Sequence, residues 1–395
     1  MIPQGWQEKT LGEVCEIISG TTPDTSNNEF WGKGNYWITP AEINEDSLYI
    51  NGTARTITNR AVECCSLRKM PRGTVLFSSR APIGKIAISN VDVLYCNQGF
   101  KNFICSKNIN NKFLYYFLFK NKKYLISLGK GTTFKEVSKS IISVVNIQYP
   151  PLPEQERIVA KLDEAFEAID KVKANAEQNL NNTKELFNNT LDSKIRTLYK
   201  NSSTQKLSEV CDVRDGTHDS PKYLDKRGHP FVTSKNLKND KIDMEKITYI
   251  SDSDFEKINE RSKVDIGDVL FAMIGTIGNP VVITEEPDFA IKNVALFKNI
   301  NKLEPQYLKF LLKSPSVLLK MQLEANGTTQ KFVSLKYLRN FMVPVPSLSE
   351  QQKIVEKLDV LQEQTKKLEQ IYTQKIKECD ELKQSILQKA FRGEL

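Results

Sequence analysis

Two patterns of apolar and polar positions alternate along the chain. In residues 1–153, short apolar runs at 36–39, 75–78 and 86–88 are separated by clusters of Gly, Asn, Thr and Pro, and residues 201–349 repeat the scheme with runs at 269–272 and 281–283. Such punctuation predicts mainly β regions with long loops. Helical stretches at 111–119 and 305–312 interrupt them. A proline boundary closes each region, Pro150-Pro151-Leu152-Pro153 and Pro344-Val345-Pro346, and the pattern then changes. Ile158, Leu162, Ala165, Ile169, Val172 and Ala176 step by four and three, and so do Ile354, Leu358, Leu361, Thr365, Leu368 and Tyr372. Glu and Lys fill the positions between, which predicts two long helices with exposed, supercoiled surfaces.

The alternation reflects a tandem duplication. Leu11-Gly-Glu-Val-Cys15 returns as Leu207-Ser-Glu-Val-Cys211, and Gly20-Thr21 as Gly216-Thr217, both at an offset of 196. Gly73-Thr-Val-Leu-Phe77 matches Gly267-Asp-Val-Leu-Phe271 at 194, and Gly131-Thr-Thr-Phe-Lys-Glu-Val-Ser138 matches Gly327-Thr-Thr-Gln-Lys-Phe-Val-Ser334 at 196. Glu154-Gln155, Ile158-Val159 and Lys161-Leu162-Asp163 return as Glu350-Gln351, Ile354-Val355 and Lys357-Leu358-Asp359. Matches in one order with so little drift identify a repeat of one structural unit.

A helix of roughly 46 residues is about 70 Å long, and with no globular cover it needs a partner. The expected partner is its own repeat, running antiparallel, with Ile158, Leu162, Ile169, Ile354, Leu358 and Leu368 on the shared stripe; homodimerisation through the same stripes is the alternative. The predicted fold is α+β: two tandem mainly-β domains with short helices, each followed by a long helix, the two helices forming an antiparallel coiled coil. The expected boundaries are 1–153, 154–200, 201–349 and 350–395.

Charge sharpens this picture. The net charge is +8, and residues 1–153 hold 18 basic and 11 acidic side chains, whereas the two helical segments are near neutral. A basic globular part fits a polyanion, and two similar heads at fixed separation fit a target with two half-sites, as DNA offers. The seven cysteines form no C-x-x-C pair and there are two histidines, which argues for reduced thiols in a cytoplasm and against a zinc site. No run of about 18 apolar residues and no secretion signal is expected. Gly32-Lys-Gly34 and Gly129-Lys-Gly131 lack the third glycine of a cofactor loop, and Gly84-Lys85 is followed by Ile86 and not by the hydroxyl of a phosphate-binding loop. Pro23-Asp24 and Pro287-Asp288 lack the acidic-x-Lys partner a nuclease needs. The chain thus reads as a binding protein without a catalytic centre.

The order of head, heptad helix, head, heptad helix resembles the specificity subunit of Type I restriction-modification systems over essentially the whole chain. The phrases Ser79-Arg80-Ala81-Pro82-Ile83-Gly84-Lys85, Asn97-Gln98-Gly99-Phe100-Lys101, Pro153-Glu154-Gln155 and Ile386-Leu387-Gln388-Lys389-Ala390-Phe391-Arg392-Gly393-Glu394-Leu395 carry the resemblance. It implies that the heads are target recognition domains, one per half of a bipartite DNA site. The helices would set the spacing and dock two methyltransferase subunits, joined by motor-nuclease subunits, with one such chain per complex. This chain would then hold no cofactor, and S-adenosylmethionine, ATP and Mg would belong to the partners. The second head departs from the pattern, with Ile274-Gly275-Thr276-Ile277-Gly278-Asn279 in place of Arg80 to Lys85 and no Asn-Gln-Gly-Phe.

Base reading calls for bidentate donors, and phosphate anchoring for Lys, Arg, Thr and backbone N–H groups. The candidates in the first head are Thr21, Thr22, Lys33, Arg80, Lys85, Gln98, Lys101, Lys130, Thr132, Thr133 and Lys135. In the second they are Thr217, His218, Lys222, Lys235, Asn279, Lys292, Asn293, Thr328, Thr329, Gln330 and Lys331. Gly-Thr-Thr-x-Lys is common to both heads, so it serves scaffold or phosphate contact before base reading. The same architecture would also suit a two-headed coiled-coil protein binding peptides or glycans, whose affinity would ignore salt.

Overall fold

The computed structural model describes residues 3–44, 47–80, 82–131, 135–225, 228–299, 302–325 and 331–395. The chain divides into two compact units, residues 1–175 with 375–395, and residues 176–374.

In the first unit a five-stranded sheet runs Cys15–Ile18, Asn102–Cys105, Val75–Phe77, Ile86–Ser89, Tyr49–Ile50. A four-stranded sheet runs Arg55–Ile57, Trp31–Ile38, Val93–Cys96, Met70–Pro71, and Gln7–Thr10 pairs with Asn146–Tyr149. Helix Asn111–Lys120 is capped by Asn110, whose side chain accepts from the N–H groups of Lys112 and Phe113. Its apolar face supplies Phe113, Leu114, Phe117 and Leu118 to a core shared with Ile158 and Leu162 of the first long helix, Leu152–Asn201. Leu387, Ala390 and Phe391, from the end of the second long helix (Leu348–Ala390) and the residue after it, complete that core.

The second unit repeats the plan. Its larger sheet runs Cys211–Asp215, Val294–Asn299, Val269–Ala272, Gly278–Val282, and a smaller one Thr248–Ile250, His229–Thr233, Ala290–Lys292. The latter keeps a parallel pair, Phe231–Thr233 beside Ala290–Lys292, that matches the parallel pairing of Tyr36, Trp37 and Ile38 with Leu94, Tyr95 and Cys96 in the first unit. The core combines helix Pro305–Lys313 with Phe187, Leu191, Ile195 and Leu198 of the first long helix and Ile354, Val355 and Leu358 of the second.

The long helices pack together in opposite senses. In the first unit, Lys173 Nζ stands 2.7 Å from Asp380 Oδ1, and Asp170 pairs with Lys383, so position rises on one helix as it falls on the other. The inward stripe differs by one step from the sequence expectation. Ile169 and Ala176 are buried as expected, but Val172 is 42 % exposed, and Lys173, held by Asp380, takes the inward place. Leu368 is likewise 38 % exposed, whereas Thr365 is buried as expected and returns its hydroxyl to Leu361 O at 2.9 Å.

One buried side chain fastens each long helix to its head. Gln155 has no exposed surface; its amide donates to Pro150 O at 2.8 Å and Asn108 O at 2.9 Å and accepts from Asn110 N at 2.8 Å. Gln351, equally buried, repeats this with Pro346 O at 2.9 Å, Lys302 O at 3.2 Å and Glu304 N at 2.8 Å. In the second unit Asp192 adds a further tie, accepting from Ser314 Oγ and Ser316 N, both at 2.7 Å. Burial opposes its ionisation, but the hydrogen bonds from Ser316, Ser314 and Arg196 outweigh it and hold the carboxyl down at about 2.

Removing either glutamine strands three backbone groups, one of them buried and two part-buried. Gln155→Ala and Gln351→Ala should each cost about 2–4 kcal/mol, since an unsatisfied buried group costs about 1–3 kcal/mol and relaxation recovers part; chemical denaturation reads the loss. For Asp192 the folded-state pKa is depressed, so its contribution is complete above about pH 4 and disappears as the pH falls towards 2. Acid titration of stability should therefore show a smaller drop between pH 4 and 2 in Asp192→Ala than in the native chain.

Candidate nucleic-acid interface

In both heads a group of candidate residues meets where three strand ends come together. In the first head the Gly20-Thr21 loop crosses the end of strand Val93–Cys96, and Thr21 N donates to Cys96 O at 3.0 Å. A Cβ on Gly20 would stand 1.9 Å from that oxygen, so only glycine allows the crossing. The Thr22 hydroxyl then donates to Gln98 Oε1 at 2.6 Å. The next rung begins at Ser79, whose N–H donates to Gly99 O at 2.7 Å, and continues in an antiparallel bridge from Arg80 to Glu136. Glu136 in turn bridges Lys130. Thr21, Thr22, Gln98, Arg80, Lys130 and Lys135 thus follow one ladder of loops.

The second head builds the same ladder. Thr217 N donates to Ile291 O at 3.1 Å, and a Cβ on Gly216 would lie 2.3 Å from that oxygen. His218 Nδ1 stands 2.6 Å from Asn293 Oδ1, in the place of Thr22 and Gln98. Ile274 bridges Phe332 in the place of Arg80 and Glu136, flanked by Gly275 N to Lys331 O at 3.2 Å and Val333 N to Met273 O at 2.9 Å. Lys235 follows Ser234, whose hydroxyl donates to Asn293 O at 3.0 Å.

Charge is distributed unevenly along these ladders. Lys101 is 6 % exposed and points inward, its ammonium 2.9 Å from Glu136 Oε1 and 3.2 Å from Ser79 Oγ. Lys85 lies across Ser78 through its backbone, but its ammonium donates to Ile43 O at 2.8 Å. The Arg80 guanidinium is held loosely, 3.9 Å from Glu136 Oε2. In the second head Asp215, buried, receives Arg261 and lies 3.1 Å from His218 Nε2, so both ring nitrogens of His218 face oxygen atoms. Lys292 donates to Ser220 Oγ, and Lys331 to Gln322 O at 3.4 Å.

The remaining candidates are spread more widely. Lys33 is exposed on strand Trp31–Ile38, Lys222 is exposed in a loop, and Asn279 is exposed on strand Gly278–Val282 with a φ of 49°. Thr132, Thr133, Thr328, Thr329 and Gln330 lie outside the described residues. Ile158, Leu162, Ile354 and Leu358 are buried where the long helices meet the heads. Sequence reasoning missed Glu136, Phe332, Asp215 and Arg261. For the first two the signal was present: within Gly-Thr-Thr-x-Lys-x-Val-Ser the second variable position is an acid in one copy and an aromatic in the other.

Among the described residues no group of three or more His, Cys, Asp or Glu side chains could hold a metal ion, and no helix is long and apolar enough to cross a membrane. Comparison with known proteins places this geometry in a family. Residues 3–182 and 199–378 each match the Type I restriction modification DNA specificity domain. The MjaIX specificity subunit of Methanocaldococcus jannaschii is 34 % identical over 60 % of this chain, which spans 59 % of that protein. The EcoKI specificity subunit of Escherichia coli K12 is 25 % identical over all of this chain and 90 % of its own. Two solved structures share the fold. A chain from a study of assembly and conformational transition in the type I R-M system covers both chains fully, with a TM-score of 0.81 at 24 % identity. The HsdS subunit of Thermoanaerobacter tengcongensis covers 100 % of this chain and 98 % of its own, with 0.60 at 23 %. With a matching domain in each half, the chain belongs to the family of Type I restriction-modification DNA specificity subunits, which carry two recognition domains.

Proposed function

We propose that this chain supplies sequence recognition to a Type I restriction-modification complex and carries no catalytic centre of its own. Residues 1–153 and 201–349 act as target recognition domains, each laying its ladder of loops against one half of a bipartite DNA site. Segments 154–200 and 350–395 set the spacing and dock two methyltransferase subunits, with motor-nuclease subunits completing a cytoplasmic assembly around one such chain. S-adenosylmethionine, ATP and Mg serve the partner subunits.

The observation that carries this reading is the matched ladder. The two heads share one backbone frame, with glycine at the same crossing, and place different side chains on it. That is what two readers of different sequences need, since base edges are told apart by side-chain chemistry while phosphate contacts only position the protein. Exposed Lys130 and Lys135 beside the first ladder suit the phosphate role. The long helices leave Val172, Leu186, Val360, Ile371 and Leu382 between 42 and 57 % exposed, apolar surface that suits subunit docking. The family match lends no support to peptide or glycan binding.

The test is methylation sequencing of a methylation-free host that expresses the chain with its cognate methyltransferase subunit. The expected result is a bipartite methylated motif that vanishes when this chain is omitted; an intact complex that yields no motif would refute the reading. In binding assays on the complex, Lys130→Ala and Lys135→Ala should weaken all sequences alike and reduce the salt slope by about 0.9 per lost phosphate contact.

A further inference from the structure

The two heads differ most sharply at the second rung of the ladder. The backbone there is pinned in the same way in both. Val137 and Val333 are buried, Ser138 accepts from Ile141 N, and Ser334 accepts from Tyr337 N as each caps a short helix. Between these fixed points the paired positions carry opposite chemistry, Arg80 with Glu136 in the first head and, in the second, Phe332 with Ile274, which is partly buried against the core.

Neither outward side chain is explained by folding. Glu136 is already neutralised by Lys101 at 2.9 Å, so the Arg80 fork, 3.9 Å away and 36 % exposed, is not needed to satisfy it. Phe332 leaves 39 % of its surface exposed, forgoing the apolar burial that a ring normally gains. A planar fork held loosely at a surface matches the O6 and N7 acceptors of guanine, whereas an exposed ring matches the C5-methyl of thymine. We propose that this rung is a specificity determinant: Arg80 reads a guanine in one half-site, and Phe332, supported by Ile274, reads a thymine in the other. The assignment rests on the DNA-reading function proposed above and adds the base chemistry at one position in each half.

Methylation sequencing of the complex with single substitutions tests it. Arg80→Ala should turn one guanine of one half-site into a degenerate position, with discrimination there falling roughly 10- to 100-fold, and leave the other half unchanged. Arg80→Gln should move the preference at that position towards adenine, because an amide pairs with adenine N6 and N7. Phe332→Ala should relax one thymine of the other half-site, and Phe332→Leu, which keeps an apolar contact, should retain it. Lys101 still holds Glu136 in the Arg80 variants, so melting temperatures should match the native chain. Folded variants that keep the full native motif overturn the proposal, as does relaxation spread evenly over both half-sites or confined to other bases. A native complex without any bipartite motif fails differently, because it removes the DNA-reading function itself.

Discussion

A single buried amide governs how each head meets its helix. Gln155 and Gln351 have no exposed surface and bond only to backbone groups, two carbonyls and one N–H apiece. Those groups belong to the proline boundary and to the loop before helix Asn111–Lys120 or Pro305–Lys313. A buried peptide group without a partner is costly, so the direction in which the helix leaves the head is tied to the loop that starts the head's own helix. The ladder of candidate DNA contacts sits on the sheets packed against that same helix. Its orientation within each unit is therefore tied to the glutamine, joined by Asp163, which accepts from Lys112 and Tyr116, in the first unit and by Asp192 in the second.

Much of this architecture is legible in the amino-acid sequence. The duplication, the β-rich heads and the long helices all follow from repeated phrases and from the change of period at the prolines. The register of the helical stripe was not, and Lys173 shows why. A count of apolar positions assigns the inward place to Val172 and cannot know that Asp380 compensates a lysine stem one residue later. Leu368 was counted on the same stripe and stays exposed, whereas Thr365, counted on it too, is buried with its hydroxyl returned to the helix backbone.

The candidate site was half legible. Gly20 and Gly216 marked the crossings because only glycine permits a carbonyl so close, and the residues that follow them do converge with Gln98 and Asn293. Composition could not say which cations face outward. Lys101 and Arg80 look alike in sequence, yet one is enclosed with Glu136 while the other stays at the surface. The difference comes from strand pairing, which places residue 136 next to residue 80, far away along the chain.

The first unit is also unusual in when it can be finished. Its core needs Leu387, Ala390 and Phe391, the Gly393 backbone lies against Pro3 and Trp6, and Arg157 donates to Leu395 O at 2.6 Å. The first head therefore waits for residues made only after the whole of the second unit. Synthesis at roughly 5–20 residues per second means that the roughly 200 residues of the intervening unit take about 10–40 s. Through that interval the sides of Phe113 and Phe117 that meet Phe391 lack that cover. A nascent chain in this state is a natural client for holdase chaperones, and a chain that stops between the second unit and Leu387 leaves the first head incomplete while the second has all its residues.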